Sequence, residues 1–354
     1  MARIQWWLRY RSAGPESIVR QCSTCCWWKP NRVPQEIGVE TERMCWFHNE
    51  IRDDEDSCEH HVAATDTAVT IPQHTPKEIM GKFFNANPVD GVEILIVSYW
   101  KDFPWLKYAV QCIQKHATGF SGATILVPFR DMESFVALQL QPGPTRVIVK
   151  TFDEYPGKGF LHHEAMMAKA DECVPAGTNY VCHMDSDTMM KMANEPRHYF
   201  LNDKPIYIWR TWESLSSPDP RDPTQKVVSD CIMWKEPTAK QVGFHSDAYT
   251  MCRHPTVFPI SFYPAYREHI QNHHQMPFLE YMLAGERNSH PQDRLDFTAF
   301  GQYAFHFMHD QFHWINCATE EYPADRMKTY WSHSGVTEET RREIESFLIE
   351  GFLA

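Results

Sequence analysis

Two aspartates one residue apart, Asp185 and Asp187, close an apolar run that starts at Tyr180 and follows the turn-forming segment Pro175-Ala-Gly-Thr-Asn179. The run reads as a buried strand fed by that turn. Side chains alternate along a strand, so residues spaced by two leave on one face. At the C-terminal end of a strand they converge on the crevice where open α/β sheets bind ligands. Two hard oxygen donors with open positions beside them suit a Mg2+ or Mn2+ ion that also holds a diphosphate. The plainer alternative is a surface Asp-Ser-Asp turn that caps the next element. The hydrophobic strand ahead of the pair, and a strand–helix unit of nucleotide-binding type upstream, favour chemistry.

That upstream unit opens with Val92–Val97, a nearly continuous apolar run of the kind buried on both faces of a parallel sheet. Ser98-Tyr99-Trp100-Lys101-Asp102 follows, and then apolar positions Trp105, Leu106, Ala109, Val110 and Ile113 at helical spacing from Phe103 to His116. Gly122–Val127 and Arg146–Lys150 read as the second and third strands, and Pro205–Trp209 as a later one. Strands alternating with helical patterns predict a doubly wound α/β sheet. Neither a Gly-x-Gly-x-x-Gly nor a P-loop follows the first strand, which counts against dinucleotide-dependent dehydrogenases and P-loop NTPases.

Further polar groups lie along the way. Lys158 sits between Gly157 and Gly159 in a loop able to close on a phosphate, and Lys169 ends the helical stretch Leu161–Ala170 that leads into the aspartate strand. His162 and His163 are adjacent, so at most one of them faces a ligand from a helix. Asp296 opens the apolar helix Phe297–Phe305, where a carboxylate is either a general base or an N-cap. Glu213–Gln225, rich in Ser, Pro and Asp, reads as an exposed loop. Thr337 is placed to cap an amphipathic helix running to Phe352.

The N-terminal part has a separate logic. Cys22, Cys25, Cys45 and Cys58 form a C-x2-C-x19-C-x12-C pattern, whose first pair has the spacing that grips one tetrahedral Zn2+. Cys26, His48, His60 and His61 compete for the same role. So small a segment buries little apolar surface, and a structural zinc would stabilise it. The sequence thus divides into a Cys-rich module over 1–65, a proline-bearing linker over 66–90 and a catalytic domain over 91–354.

The chain has 354 residues, 46 acidic against 34 basic side chains and a net charge of −12. That balance argues against a broad phosphate-neutralising surface. No stretch approaches the ~20 apolar residues of a membrane span, and Met1–Tyr10 lacks the features of a signal peptide. Eleven cysteines, an odd number in a long chain, fit reduced thiols and a metal site. The expected location is the cytoplasm.

Taken together, the strand Val92–Ser98, the Gly-Phe-x2-His-x3-Met-x-Lys helix from Gly159 to Lys169, and Tyr-Val-x-His-Met-Asp-Ser-Asp ending at Asp187 resemble GT-A-type glycosyltransferases. More narrowly, the chain resembles uncharacterised glycosyltransferases of bacteria and tailed phages, which carry an Asp-Ser-Asp strand end and an acidic-aromatic-x3-Gly-x-Tyr segment. Here the latter is Asp296-Phe-Thr-Ala-Phe-Gly301-Gln-Tyr303, with aspartate where that family has glutamate. The resemblance covers about 91–336 and implies a GT-A-like, mostly parallel sheet flanked by helices. It implies metal-dependent transfer of a sugar from a nucleotide-sugar, a UDP-sugar being the usual donor, to an acceptor hydroxyl on a glycan, protein or modified nucleobase.

On that resemblance Asp187 holds Mn2+ or Mg2+, Asp185 meets the ribose or the metal, and His333, just before Gly335, is a further ligand. Ser98, Tyr99 and Trp100 meet the donor, with Tyr99 or Trp100 stacking on the base. Lys158 and Lys169 answer its phosphates and Asp296 is the base. The Glu213–Gln225 loop is a lid, and Arg253, His254, Arg267 and His269 lie near the substrates. A phage origin would place the protein in the host cytoplasm. Two other readings stay open: a scaffold on the same fold, and a nucleotidyltransferase using the same metal site.

Overall fold

A computed structural model describes residues 44–45, 50–51, 85, 87–154, 158–216, 229–252, 255–285, 294–323, 325–330, 332 and 335–349. The chain divides into two units, Met1–Thr67 and Ala68–Ala354. In the first, Met44–Cys45 pairs antiparallel with Glu50–Ile51. Cys22, Cys25 and Cys58, like the competing Cys26, His48, His60 and His61, lie outside the described residues, and for Cys45 only the backbone is described.

The second unit is built around β1, Val92–Val97, whose six residues are all buried. Val92, Ile94 and Ile96 pack into one hydrophobic cluster, whereas Leu95 and Val97 pack into another on the opposite face. Period-two alternation into two cores marks a central strand covered on both sides. Each large apolar side chain so buried contributes roughly 1.5–3 kcal/mol. Glu93, at 0% exposure, is the exception within the strand, and it accepts from Thr124 Oγ1 at 2.8 Å and from Arg146 Nη2 at 2.8 Å.

From β1 the chain runs through α1 (Phe103–His116) to β2 (Gly122–Pro128), and through α2 (Met132–Val136) to β3 (Val147–Phe152). It then crosses back by α3 (Gly159–Met167) and α4 (Ala170–Cys173) to β4 (Tyr180–His183) on the other side of β1. The stretch expected as one helix over Leu161–Ala170 is therefore two, parted at Ala168–Lys169. β1 to β4 are mutually parallel, and β9 (Thr256–Pro259) adds to β4 antiparallel, giving the order β9-β4-β1-β2-β3. This is the mostly parallel α/β sheet flanked by helices that the strand pattern predicts. The winding reverses between β1 and β4, so the crevice beyond their C-terminal ends is the topological switch point.

The two aspartates do not extend β4. The strand stops at His183, and Asp185–Thr188 form a turn closed by Thr188 N donating to Asp185 O at 3.0 Å. The chain then resumes as β5, Thr188–Met190. Turn geometry, rather than strand alternation, gathers the two carboxylates. The later strand expected at Pro205–Trp209 is observed as Lys204–Thr211, but it belongs to a second sheet. There, after the short β6 (Phe200–Leu201), it forms β7 between β8 (Ala248–Tyr249) and the parallel β10 (His313–Asn316). β11, Met327–Thr329, pairs antiparallel with β5.

Helices α5 (Lys235–Val242), α6 (Phe262–His274), α7 (Phe278–Ala284) and α8 (Phe297–Phe307) complete the core on one face, and α9 (Glu338–Leu348) packs on α1. Thr337 caps α9, accepting from Thr340 N at 3.1 Å. Helix α8 approaches the second sheet at Gly301. A Cβ there would stand 2.4 Å from Thr250 Oγ1 and 2.6 Å from the Tyr207 hydroxyl. Gly301→Ala is expected to destabilise the protein by about 1–3 kcal/mol through overpacking, read as a lowered melting temperature. An unchanged melting temperature would show that the two elements give way freely. Among the described residues no helix is long and apolar enough to cross a membrane.

Candidate functional site

The switch point is closed by two serines. Ser186 Oγ donates to Ser98 Oγ at 2.8 Å, tying the turn after β4 to the end of β1, and both residues are buried. Ser98 is thus engaged in fixing the relative height of the two strand ends. The next residues emerge toward solvent: Tyr99 is half-buried and Trp100 is 51% exposed, its backbone N–H held by Asp131 Oδ2 at 3.1 Å. Lys101 Nζ lies over the Trp100 ring, 5.5 Å from its centre.

Asp187 is fixed from the far end of the chain. Pairing of β5 with β11 brings Tyr330 N to donate to Asp187 O at 2.9 Å and Ser332 N to donate to Asp187 Oδ2 at 2.8 Å. Trp105 of α1 clamps the same segment, donating from Nε1 to Ser332 O at 3.3 Å and stacking on Tyr330 with ring centres 5.4 Å apart. The Ser332 side chain also hydrogen-bonds Asp102, which stands in the turn Trp100–Asp102 just before α1. Three carboxylates, Asp102, Asp185 and Asp187, are therefore gathered around one short segment.

Their charges oppose one another. Burial, then the Asp185 carboxylate, pushes Asp187 up to about 8, with Asp102 adding to the effect. Burial, then repulsion from Asp185, pushes Asp102 up to about 6 against the hydrogen bond from Ser332. Both folded values exceed the ordinary 3.8. The stability these groups contribute is thus full below that value and lost as pH rises through about 6 and then about 8. In chelator, Asp187→Asn is accordingly expected to gain melting temperature over wild type, increasingly so from about pH 5 to about pH 8, where the gap levels off. A gap that stays constant or shrinks with pH would contradict this electrostatic picture.

A second carboxyl pair stands beside the first. Glu164, on the buried face of α3, hydrogen-bonds the side chain of Asp296, and both Asp296 and Asp185 push its ionisation well up after burial itself. Asp296 also accepts from Phe297 N at 2.5 Å, so the cap expected at the start of α8 is present. Phe297 packs on His183, ring centres 5.6 Å apart, and His183 Nε2 shares a 2.7 Å hydrogen bond with the Tyr263 hydroxyl. The last residue of β4 thereby seats α8 next to the aspartate turn. Of the adjacent histidines, His163 lies within electrostatic reach of Asp185, while His162 packs edge-on against Phe152.

Other polar groups singled out in the sequence are engaged elsewhere. Lys158 Nζ donates to Gly285 O at 2.9 Å, and Lys169 pairs with Glu172 at 2.8 Å. Arg267 grips Asp171 with two nitrogens, at 2.5 and 2.9 Å, and donates to Ala168 O at 2.8 Å. His269 Nε2 meets Val242 O at 2.7 Å. Arg253, His254, His333 and most of the expected lid, 217–225, lie outside the described residues. Asp102, Glu164 and Ser332 are the site residues that the sequence reading passed over. Their signals are an acid just past a switch-point strand and an acid on the inner face of an apolar helix.

Among the described residues no three His, Cys, Asp or Glu side chains stand together closely enough to hold a metal by themselves. Hard carboxylate oxygens under mutual repulsion nonetheless fit a Mg2+ or Mn2+ ion, which takes one or two protein carboxylates and completes its shell with phosphate and water. Such an ion would be held by Asp187 and Asp185.

No protein-family model matches the chain, and no curated protein does. Among solved structures it is similar to the mannosyltransferase Ktr4p from S. cerevisiae, with 12% identity and a TM-score of 0.39 over 68% of this chain and 76% of that one. A likeness of that size carries no inference about what this chain binds or transfers.

Proposed function

We propose that the protein is a metal-dependent glycosyltransferase that moves a sugar from a nucleotide-sugar, a UDP-sugar, to an acceptor hydroxyl. The observation that carries this reading is the run of carboxyl groups Asp102, Asp185 and Asp187 at the switch point, with the Glu164–Asp296 pair alongside. A site so acidic repels a diphosphate unless a cation lies between them. When bound, that ion neutralises the leaving nucleoside diphosphate.

The chain's own residues divide the rest. Asp187 and Asp185 hold the ion, Asp187 oriented by the Ser332 N–H. His333, next in the chain to Ser332, is the further ligand this reading assigns. Trp100, exposed beyond β1, offers a face for the nucleobase. Asp296 takes the proton of the acceptor hydroxyl as its oxygen bonds to the anomeric carbon. The bond from that carbon to the diphosphate breaks, and the diphosphate leaves with the electron pair. The N-terminal cysteines Cys22, Cys25, Cys45 and Cys58 hold a structural Zn2+, which metal analysis of the purified protein would detect at one per chain.

The test is turnover. Incubated with Mn2+ and a panel of UDP-glucose, UDP-galactose, UDP-N-acetylglucosamine and GDP-mannose, the protein is expected to release nucleoside diphosphate from one donor, and not in chelator. Release of pyrophosphate from a nucleoside triphosphate and a sugar phosphate would instead establish nucleotidyl transfer. Folded, metal-loaded protein inert toward every donor would favour a scaffold.

A further inference from the structure

The peptide that leads into Asp296 is gripped by the side chain of Gln241, which lies in the last turn of α5 and is 0% exposed. Its Nε2 donates to Leu295 O at 2.7 Å and to the Tyr266 hydroxyl at 2.8 Å, while its Oε1 accepts from Leu295 N at 2.7 Å. The amide thus meets both backbone polar atoms of one buried residue, as a neighbouring strand does. Leu295 O belongs to the planar peptide unit that ends at Asp296 N, so holding it sets the φ of Asp296, −96°. The grip is itself anchored. Gln241 O and Val242 O, the last two carbonyls of α5, accept from His274 Nε2 at 2.9 Å and from His269 Nε2 at 2.7 Å, both on α6. Helix α8 is seated by further contacts beyond Asp296. Phe297 packs on His183, Thr250 Oγ1 donates to Thr298 O at 3.0 Å, and Gln302 Nε2 donates to Ala248 O at 2.9 Å.

We propose that Gln241 is a positioning residue of the transfer: by holding Leu295 N and O it fixes the peptide unit from which Asp296 presents its carboxylate to the acceptor hydroxyl. This rests on the transfer reading above. Gln241 touches no reacting atom and exchanges no proton; the acceptor hydroxyl's proton goes to Asp296. An apolar side chain of the same length leaves the Leu295 N–H and C=O buried without partners, and that cost drives the segment to shift. Because α8 keeps its own contacts, the shift falls on the approach to Asp296 and the fold survives. A displacement of about 1 Å at a reacting group costs on the order of 100-fold in rate.

The experiment is a double-mutant cycle on Mn2+-loaded full chains: wild type, Gln241→Met, Asp296→Asn and the two changes together, with folding checked by circular dichroism. Should the apolar variant fail to fold, Gln241→Asn takes its place, since it keeps an amide but sets it one methylene short of Leu295. The readouts are kcat and KM for the donor that the panel identifies, with donor dissociation measured beside them. In the wild-type background the Gln241 change is expected to lower kcat by about 10–100-fold, with KM and donor dissociation within about twofold. In the Asp296→Asn background the same change is expected to cost no more than about threefold, because the group it aims is no longer a base. Equal loss in both backgrounds would overturn the proposal, since Gln241 would then support the fold alone. A folded variant with kcat within about threefold of wild type, or with the loss confined to KM, would overturn it as well. Each of these results leaves an active wild type and a damaged Asp296→Asn, so the transfer reading stands. Inertness of wild type toward every donor would instead remove that reading and the role of Gln241 with it.

Discussion

Asp187→Ala is expected to reduce turnover roughly a thousandfold or more, and to abolish metal-dependent donor binding along with it. The magnitude follows from what the residue faces. Its carboxylate is one of three that repel each other at the switch point, and burial with that repulsion already lifts its ionisation to about 8. On the proposed reading a cation draws these carboxyl groups into their ionised form and meets the diphosphate, and Asp187 would be the ligand whose geometry is fixed by both Tyr330 N and Ser332 N. Asp187→Asn keeps an acceptor for the Ser332 N–H while removing the charge. It should therefore lose activity to a similar degree yet melt higher than wild type in chelator. Lost activity with a lower melting temperature for both variants would indicate a structural aspartate.

The second large effect concerns Asp296. Its replacement by asparagine is expected to lower kcat by about 10²–10⁴-fold with donor affinity unchanged. Asparagine is itself a favoured N-cap, so the start of α8 should survive the change. The readout that separates chemistry from folding is donor dissociation measured beside kcat. Parallel loss of both, with a lowered melting temperature, would assign Asp296 to capping alone.

Much of this site is visible in the chain before it folds, and the reasons for the rest are physical. Val92–Val97 announces itself because every position is apolar or partnered inside the sheet, and Phe103–His116 because its apolar residues keep helical spacing. The Asp185–Asp187 pair is legible from its place after an apolar run, although a turn rather than a strand gathers it. Asp102 and Glu164 escape notice because nothing local marks them. Asp102 acquires meaning from Ser332, which reaches it only through the pairing of β5 with β11. Glu164 acquires it from Asp296, which stands far along the chain at the start of α8. The lysines illustrate the converse. Lys158 and Lys169 have the type and setting of phosphate ligands, yet Gly285 O and Glu172 engage them in the fold. Gly301 belongs to the same lesson: within the motif that resembles a catalytic segment, it serves the close approach of α8 to Tyr207 and Thr250.

Calorimetric titration of the nucleotide-sugar panel into the intact protein, with Mn2+ and then with chelator, addresses the central claim most directly. One donor is expected to bind with Mn2+ present and to show no heat in chelator or with Asp187→Ala. Binding of that donor undiminished by chelator and by Asp187→Ala would contradict the claim that the Asp185–Asp187 turn holds a cation for the diphosphate.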